Sequence, residues 1–438
     1  MRQNDPFAPR PVPQHALSRN LRMGRVAGGI LGASVGAVLG DVLRGRRPAL
    51  AQAALTPANA LRLAGGLAHL RGAAMKLGQM LSMENGAALP PELTGVLVQL
   101  QANAPAMPAQ QLRDVLNREW GAGWQKRFVR FDVRPVAAAS IGQVHRAVTQ
   151  DGVALAVKVQ FPGVSTSIDS DIATLGRLLR VPGFLPPMLK IDRLLQDAKA
   201  QLHDEADYQR EAEALVLFAA YLKDDPGFLV PTLWPELSTK RVLAMEFVES
   251  VPIDTLSQAE QAVRDSAVIK LVELTLRELF EFRKMQTDPN FANYRLAPDG
   301  RIVLLDFGAT RAIAPGTAAQ YRALLRALLS EDKASVGLYM EKLGYFSAHM
   351  PASRRDLLVA LALRASAPLR QDSAYDFGRS TLIEDLARQG QALGDAREFW
   401  HVPPAELLFL HRKIGGMYLL AQRLGARVAL QELVARWA

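Results

Sequence analysis

Two carboxylates, one amide and one lysine stand in an order that suits metal-assisted chemistry on phosphates. The stretch Gln286-Thr287-Asp288-Pro289-Asn290-Phe291-Ala292-Asn293 places Asp288 five residues before Asn293, and Asp306-Phe307-Gly308 follows thirteen residues later. Mg²⁺ bound to nucleotide phosphates takes one or two hard oxygen ligands from the protein, which a carboxylate and an amide oxygen can supply. Asn293 and Asp306 are therefore the candidate metal ligands. Asp288 is the candidate catalytic group, placed to orient or deprotonate an attacking hydroxyl or water.

Upstream, Lys158 closes the apolar run Leu155-Ala156-Val157. A lone lysine there is ordinarily a surface residue whose stem lies along apolar neighbours. This one comes fourteen residues after Val144 in Ala137-Ala138-Ala139-Ser140-Ile141-Gly142-Gln143-Val144, which fits the kinase loop GxGxxGxV with alanine at the first two glycines. In that arrangement the loop covers ATP phosphates and the lysine pairs with them. Alanine in place of glycine stiffens the loop. Ala137, Ala138, Ala139, Ser140 and Lys158 form the first part of the candidate nucleotide set, with Lys158 also counted as catalytic. The Asp288 loop keeps the Asp and Asn of HRDxxxxN but carries Gln286 and Thr287 in place of His and Arg.

A helix read over Leu202 to Leu217 carries Glu205, Asp207 and Glu211. At about 100° per residue, Glu205 and Glu211 lie roughly 120° apart, so the two serve different partners. Glu211 is assigned to Lys158, which leaves Glu205 for something outside the standard lobe. The apolar run Val242 to Val248 reads as a strand leaving the sheet, and Glu246 and Val248 near its end complete the nucleotide set.

These residues need elements to hold them. Apolar residues at three and four spacings through Leu61 to Leu81 and Leu93 to Leu116 predict a helical extension, broken near Pro90-Pro91 and Pro105 to Pro108. Short alternating runs from Phe128 to Gln160, with the turn signal Asp151-Gly152, predict a small sheet. After Thr255 the chain reads as helical nearly throughout, with one strand at Ile302 to Leu305. The expected organisation is a basic, Gly-rich membrane-associating segment over 1–50, a helical extension over 51–125, a kinase-like N-lobe over 126–250 and a helical C-lobe over 251–438. The fold class is α+β.

Composition narrows the chemistry. The chain has no cysteine, which excludes disulfides, thiolate nucleophiles and Cys-ligated zinc, and its seven histidines show no HExxH spacing. The net charge is +9, and the first 48 residues hold eight Arg against two Asp. That local basic excess beside an apolar run favours an anionic membrane surface, and no later basic stripe interleaved with aromatics points to nucleic acid. Gly28, Gly32, Gly36 and Gly40 line one face of an uncharged run, a pattern that lets two helices pack closely, so homodimer formation through them is an expectation. The run reaches only about 22 Å as a helix, against a hydrocarbon core of roughly 30 Å.

Together with Lys76-Leu77-Gly78-Gln79, Glu205-Ala206-Asp207 and the Gln-Thr-Asp-Pro-Asn run, the alanine loop resembles the UbiB family of atypical kinases, which is tied to ubiquinone biosynthesis. The resemblance covers about residues 60 to 420. It implies a bilobal kinase-like fold whose helical extension lies across the place of a peptide substrate, with Lys76 near Glu205 and Asp306. Lys76 then joins the catalytic set, and Gln79, Glu205 and Asp207 become regulatory residues. It also implies ATP or ADP with Mg²⁺ as cofactors, and ATP hydrolysis stimulated by membrane lipid or quinone precursors, in company with ubiquinone-biosynthesis enzymes. Protein phosphorylation is not expected, since no Ala-Pro-Glu follows Asp306. A nucleotide-binding scaffold and a small-molecule or lipid kinase are the competing readings. The short leader favours a bacterial protein at the cytoplasmic face of the inner membrane over a mitochondrial one at the matrix side. His411-Arg412-Lys413 resembles another family mark, without an assigned role.

Overall fold

The computed structural model describes residues 70, 72–74, 76–77, 106–180, 191–346, 349–392 and 404–438. The glycine row at Gly28, Gly32, Gly36 and Gly40, and Gln79 of the extension, lie outside the described residues. Contacts divide the chain into two compact units, Met1–Leu217 with Pro231–Val248, and Phe218–Val230 with Glu249–Ala438.

In the first unit, α1 (Ala109–Trp120) buries Leu112, Val115, Leu116 and Trp120, the three and four spacing of one apolar face, and ends at Gly121 with φ 82°. Strands β1 (Phe128–Phe131), β2 (Ala137–Ala138), β3 (Gly142–Thr149) and β4 (Ala154–Gln160) follow, and then α2 (Val164–Leu179), α3 (Ile191–Glu205) and α4 (Tyr208–Tyr221). The sheet runs β1-β3-β4-β6, with β2 on β3 and β6 being Val242–Glu246. All its pairs are antiparallel. Its core joins Leu155, Val157, Val159, Val242 and Ala244 to α1 and to Trp124 and Phe128.

The helix read as continuous from Leu202 to Leu217 is two helices. Asp207 interrupts it, because its Oδ1 accepts from the backbone N–H groups of Gln209 and Arg210, both at 3.2 Å, and so caps α4. Glu205 therefore closes α3, and Glu211 lies in the first turn of α4.

The chain enters the second unit within α4. Residues Phe218–Val230, read from sequence as part of the N-lobe, belong here because β5 (Phe228–Leu229) pairs in parallel with β10 (Ile302–Leu304). The region expected to be helical after Thr255 also holds several short strands. Besides β7 (Val251–Pro252) and helix α5 (Gln261–Arg277), they are β8 (Lys284–Gln286), β9 (Tyr294–Leu296), β11 (Thr310–Ala312), β12 (Tyr375–Asp376) and β13 (Arg427–Val428). Strands of two or three residues are too short to display a period of two. The helical core of this unit is formed by α6 (Pro315–Leu329), α7 (Lys333–Lys342), α8 (Ala352–Ala365) and α10 (Ala405–Leu424), with α9 (Leu382–Ala392) and α11 (Leu430–Ala435) beside them. No helix among the described residues is long and apolar enough to cross a membrane.

One buried histidine makes the first unit sensitive to acid. His145 is fully buried on β3, stacks on Phe131, and donates from Nδ1 to the Asp132 carbonyl at 2.8 Å. Gln143 donates to its Nε2, while the Gln143 Oε1 accepts from the Met107 N–H, each at 2.8 Å. Burial pushes the imidazole below its ordinary value of 6.5, against the opposing Asp132 carbonyl. The unfolded chain therefore takes up the proton first, and stability present above pH 6.5 declines as pH falls toward the folded value. Denaturant melts at pH 7.5 and 5.5 should show a loss approaching about 1.4 kcal/mol per unit attributable to this group. His145→Gln should flatten that slope; equal slopes in the two proteins would contradict the assignment.

Candidate functional site

Strand register places the first group of site residues. Val144 pairs with Lys158 on one side and with Ala137 on the other, so the alanine loop is a hairpin folded back on β3, which separates it from the lysine strand. The turn is closed by the Ala139 N–H on the Gly142 carbonyl at 3.0 Å. Gly142 cannot be larger, since a Cβ there would stand 2.4 Å from the Val159 carbonyl oxygen. Ala137 and Ala138 are exposed.

The Lys158 Nζ sits between both oxygens of Glu211, at 2.8 and 2.9 Å, with the Glu211 side chain 1% exposed. This bidentate pair joins β4 to α4, as expected from the sequence. The other glutamate, at the end of α3, takes Lys76 of the extension as an ion-pair partner and accepts a hydrogen bond from the Ser140 hydroxyl. Ser140, read as a nucleotide contact, is thus linked through Glu205 to a fully buried Lys76. Gly72, one turn earlier, packs against the Ser140 carbonyl and Ile141, at a separation that leaves a Cβ only 3.1 Å from each. Asp207 acts as a helix cap. Glu246 closes β6, and its carboxylate accepts from the Thr232 hydroxyl at 3.1 Å, so a side-chain contact to a ligand is not what its geometry offers. Val248 lies just beyond β6.

In the second unit, the β9–β10 hairpin brings the two metal candidates together. Leu304 pairs with Tyr294, and the Leu305 N–H donates to the Asn293 carbonyl at 3.1 Å, which sets Asp306 beside Asn293 at one end of the hairpin. The Asn293 Nδ2 donates to the Asp288 carbonyl at 3.1 Å, fixing the amide so that its oxygen faces away from that carbonyl. One Asp306 oxygen accepts from the Gly308 N–H at 3.0 Å. Two oxygens of this kind fit Mg²⁺ that is also held by phosphates, and no cluster of three or more His, Asp or Glu able to hold a metal alone occurs among the described residues. Phe307 is buried against Phe218, with ring centroids 4.8 Å apart.

Asp288 is held from several sides. Thr287 bonds the Ala309 carbonyl through both N–H and hydroxyl, and the Gln286 Nε2 donates to the Asp288 carbonyl at 2.7 Å. Helix α10 supplies the rest. Arg412 places Nη2 3.5 Å from the Asp288 Oδ1, with both side chains almost fully buried. Lys413, equally buried, lies 3.1 Å from Glu278 and 2.9 Å from the Tyr294 hydroxyl. Burial opposes the Lys413 charge, but Glu278 and Tyr294 outweigh it and hold the ammonium protonated. Burial pushes the Glu278 carboxyl and the Tyr294 phenol upward. His411 bonds Tyr345, whose hydroxyl is 3.0 Å from that of Tyr321. Sequence reasoning marked Arg412 and Lys413 without a role and passed over Glu278. The available signal was Glu278 directly before the apolar pair Leu279-Phe280.

An antiparallel sheet with a lysine–glutamate pair in one unit, and an Asp, Asn and Asp-Phe-Gly set in a mainly helical second, define an α+β protein of atypical kinase-like class. The family model of the ABC1 atypical kinase-like domain matches residues 99–340. The mitochondrial atypical kinase COQ8 of Saccharomyces cerevisiae is 37% identical over 427 residues, covering 96% of this chain and 84% of the relative. The mitochondrial atypical kinase COQ8B of Rattus norvegicus is 38% identical over 382 residues, covering 86% and 72%. Among solved structures, the complex of Rv3197 with erythromycin from Mycobacterium tuberculosis aligns with a TM-score of 0.57 at 27% identity, over 84% of this chain and 92% of that one. The chain belongs to the ABC1 family of atypical kinases, the group that the UbiB resemblance indicated.

The Lys158–Glu211 pair has a measurable signature. Lys158→Met strands a buried carboxylate and should cost about 3–5 kcal/mol in denaturant unfolding. Adding Glu211→Leu should recover most of that loss. A double variant as unstable as the single one would mean that packing, and not the stranded charge, sets the cost.

Proposed function

We propose that the chain is a Mg²⁺-dependent ATPase of the atypical kinase class that supports ubiquinone biosynthesis at a membrane. The observation that carries this reading is the placement of Asn293 and Asp306 side by side at the end of the β9–β10 hairpin, within a loop that also anchors Asp288. Mg²⁺, when bound, neutralises developing charge on the phosphates and fixes their geometry. In this reading Asn293 and Asp306 hold the metal, and Asp288 orients the attacking water or hydroxyl. Lys158, set by Glu211, pairs with phosphate oxygens, while the Ala137 to Ser140 hairpin covers them and the backbone at Glu246 and Val248 borders the base.

The pathway follows from kinship with COQ8 proteins and from the UbiB resemblance. Lipid or quinone-precursor stimulation rests on the basic, Gly-rich segment 1–50, as does pairing of two copies through its glycine row. Kinship with proteins named mitochondrial supports a mitochondrial site as readily as a bacterial inner membrane. Lys76, held by Glu205 and linked to Ser140, restrains the nucleotide loop. That restraint, and the alanines in the loop, favour slow turnover and keep a nucleotide-binding scaffold as the second reading.

The test is free-phosphate release from ATP with Mg²⁺, with and without anionic vesicles, for the wild type, Asp306→Asn and Lys76→Ala. Vesicle-stimulated release should fall at least about a hundredfold in Asp306→Asn, on the scale of losing a group that stabilises transition-state charge. Binding of nucleotide with no release above the Asp306→Asn background would select the scaffold, and labelled phosphate recovered on an extracted lipid would select a lipid kinase.

A further inference from the structure

Lys413 lies on α10, more than a hundred residues from the catalytic loop in sequence, yet it reaches the residue that braces that loop. Its Nζ is 3.4 Å from the Gln286 Oε1, and the Tyr294 hydroxyl donates to the same oxygen at 3.4 Å. An amide whose oxygen faces two donors must turn its nitrogen the other way, and the Gln286 Nε2 donates to the Asp288 carbonyl at 2.7 Å. The Gln286 N–H in turn donates to Glu278 at 3.3 Å, and Glu278 pairs with Lys413. Glu278 opens a π-helical turn, Glu278–Phe282, that ends α5 and leads through Arg283, at φ 51°, into β8. All four side chains, Lys413, Glu278, Gln286 and Tyr294, are buried.

We propose that Lys413 is a positioning residue for phosphoryl transfer: it orients the Gln286 amide, which fixes the Asp288 carbonyl and with it the catalytic loop. This rests on the ATPase reading above. It also explains why glutamine can stand where ordinary kinases carry histidine, since the donor that braces the loop is turned by a cation from a distant helix. Arg412, one residue earlier, meets the Asp288 carboxylate directly, so one turn of α10 addresses both ends of the same residue.

Lys413→Met alone strands Glu278 and is expected to fold poorly, so the working variant is Lys413→Met with Glu278→Gln. Its phosphate release should show kcat reduced about tenfold or more with KM for ATP within about threefold, the pattern of a group that acts only in the transition state. Gln286→Met should reproduce the loss, and combining it with the pair should add little further, because both act through one contact. Hydrogen exchange reads the same positioning without turnover: amides of residues 288–293 should exchange about tenfold faster in the pair variant, with the global melt retained. Failure of the wild type to release phosphate would count against the ATPase reading and leave the exchange result to decide this one. Unchanged exchange, unchanged kcat in a folded pair variant, or losses that multiply with Gln286→Met, would each overturn it.

Discussion

A lysine ammonium is tolerated in a protein interior only where a carboxylate meets it with good geometry and the remaining protons find acceptors. Among the described residues that constraint is met by Lys76 with Glu205, Lys158 with Glu211, and Lys413 with Glu278. All three lysines and all three glutamates are buried. Such pairs add little net stability over apolar replacements of similar shape, but breaking one leaves a costly orphan charge. Their value here is specificity of placement. Each joins segments distant in sequence.

Local structure serves those pairs. The break at Asp207 lets Glu205 and Glu211 belong to different helices, so that one can meet the extension and the other the lysine strand. The β3–β4 register places Lys158 opposite Val144 and fixes the reach of the alanine hairpin. In the second unit, hairpin β9–β10 and the β8–β11 ladder hold Asn293, Asp306 and Asp288 on neighbouring chain ends. Backbone hydrogen bonds do most of the positioning, and side chains supply the final orientation.

Much of this was legible in the sequence because spacing along strands and loops is a local property. Lys158 after its loop and Asp288 five before Asn293 follow from counting residues, and Glu211 does pair with Lys158 as assigned, although the single helix on which the two glutamates were set apart is two helices. The Asp207 break was not legible, since an aspartate in a helical pattern can face solvent as readily as it can cap. Short strands such as β8 and β11 were missed because three residues carry no periodicity. The part played by Arg412 and Lys413 depends on α10 packing beside β8, a long-range contact that no local pattern encodes. Gln79 and the glycine row lie outside the described residues.

The seat of Phe307 bears on how small molecules could engage the protein. Its ring is buried against Phe218, which in turn meets Phe282, itself stacked on Tyr221 at 4.4 Å. An inhibitor that needs the aspartate–phenylalanine–glycine segment inverted must first extract that ring. Vacating a site of this size costs on the order of 3–5 kcal/mol, judged from phenylalanine truncations in protein cores. That is two to four decades of affinity, at about 1.4 kcal/mol each, lost before any new contact is made. Selective chemistry against this chain is therefore better directed at the uninverted state of that segment.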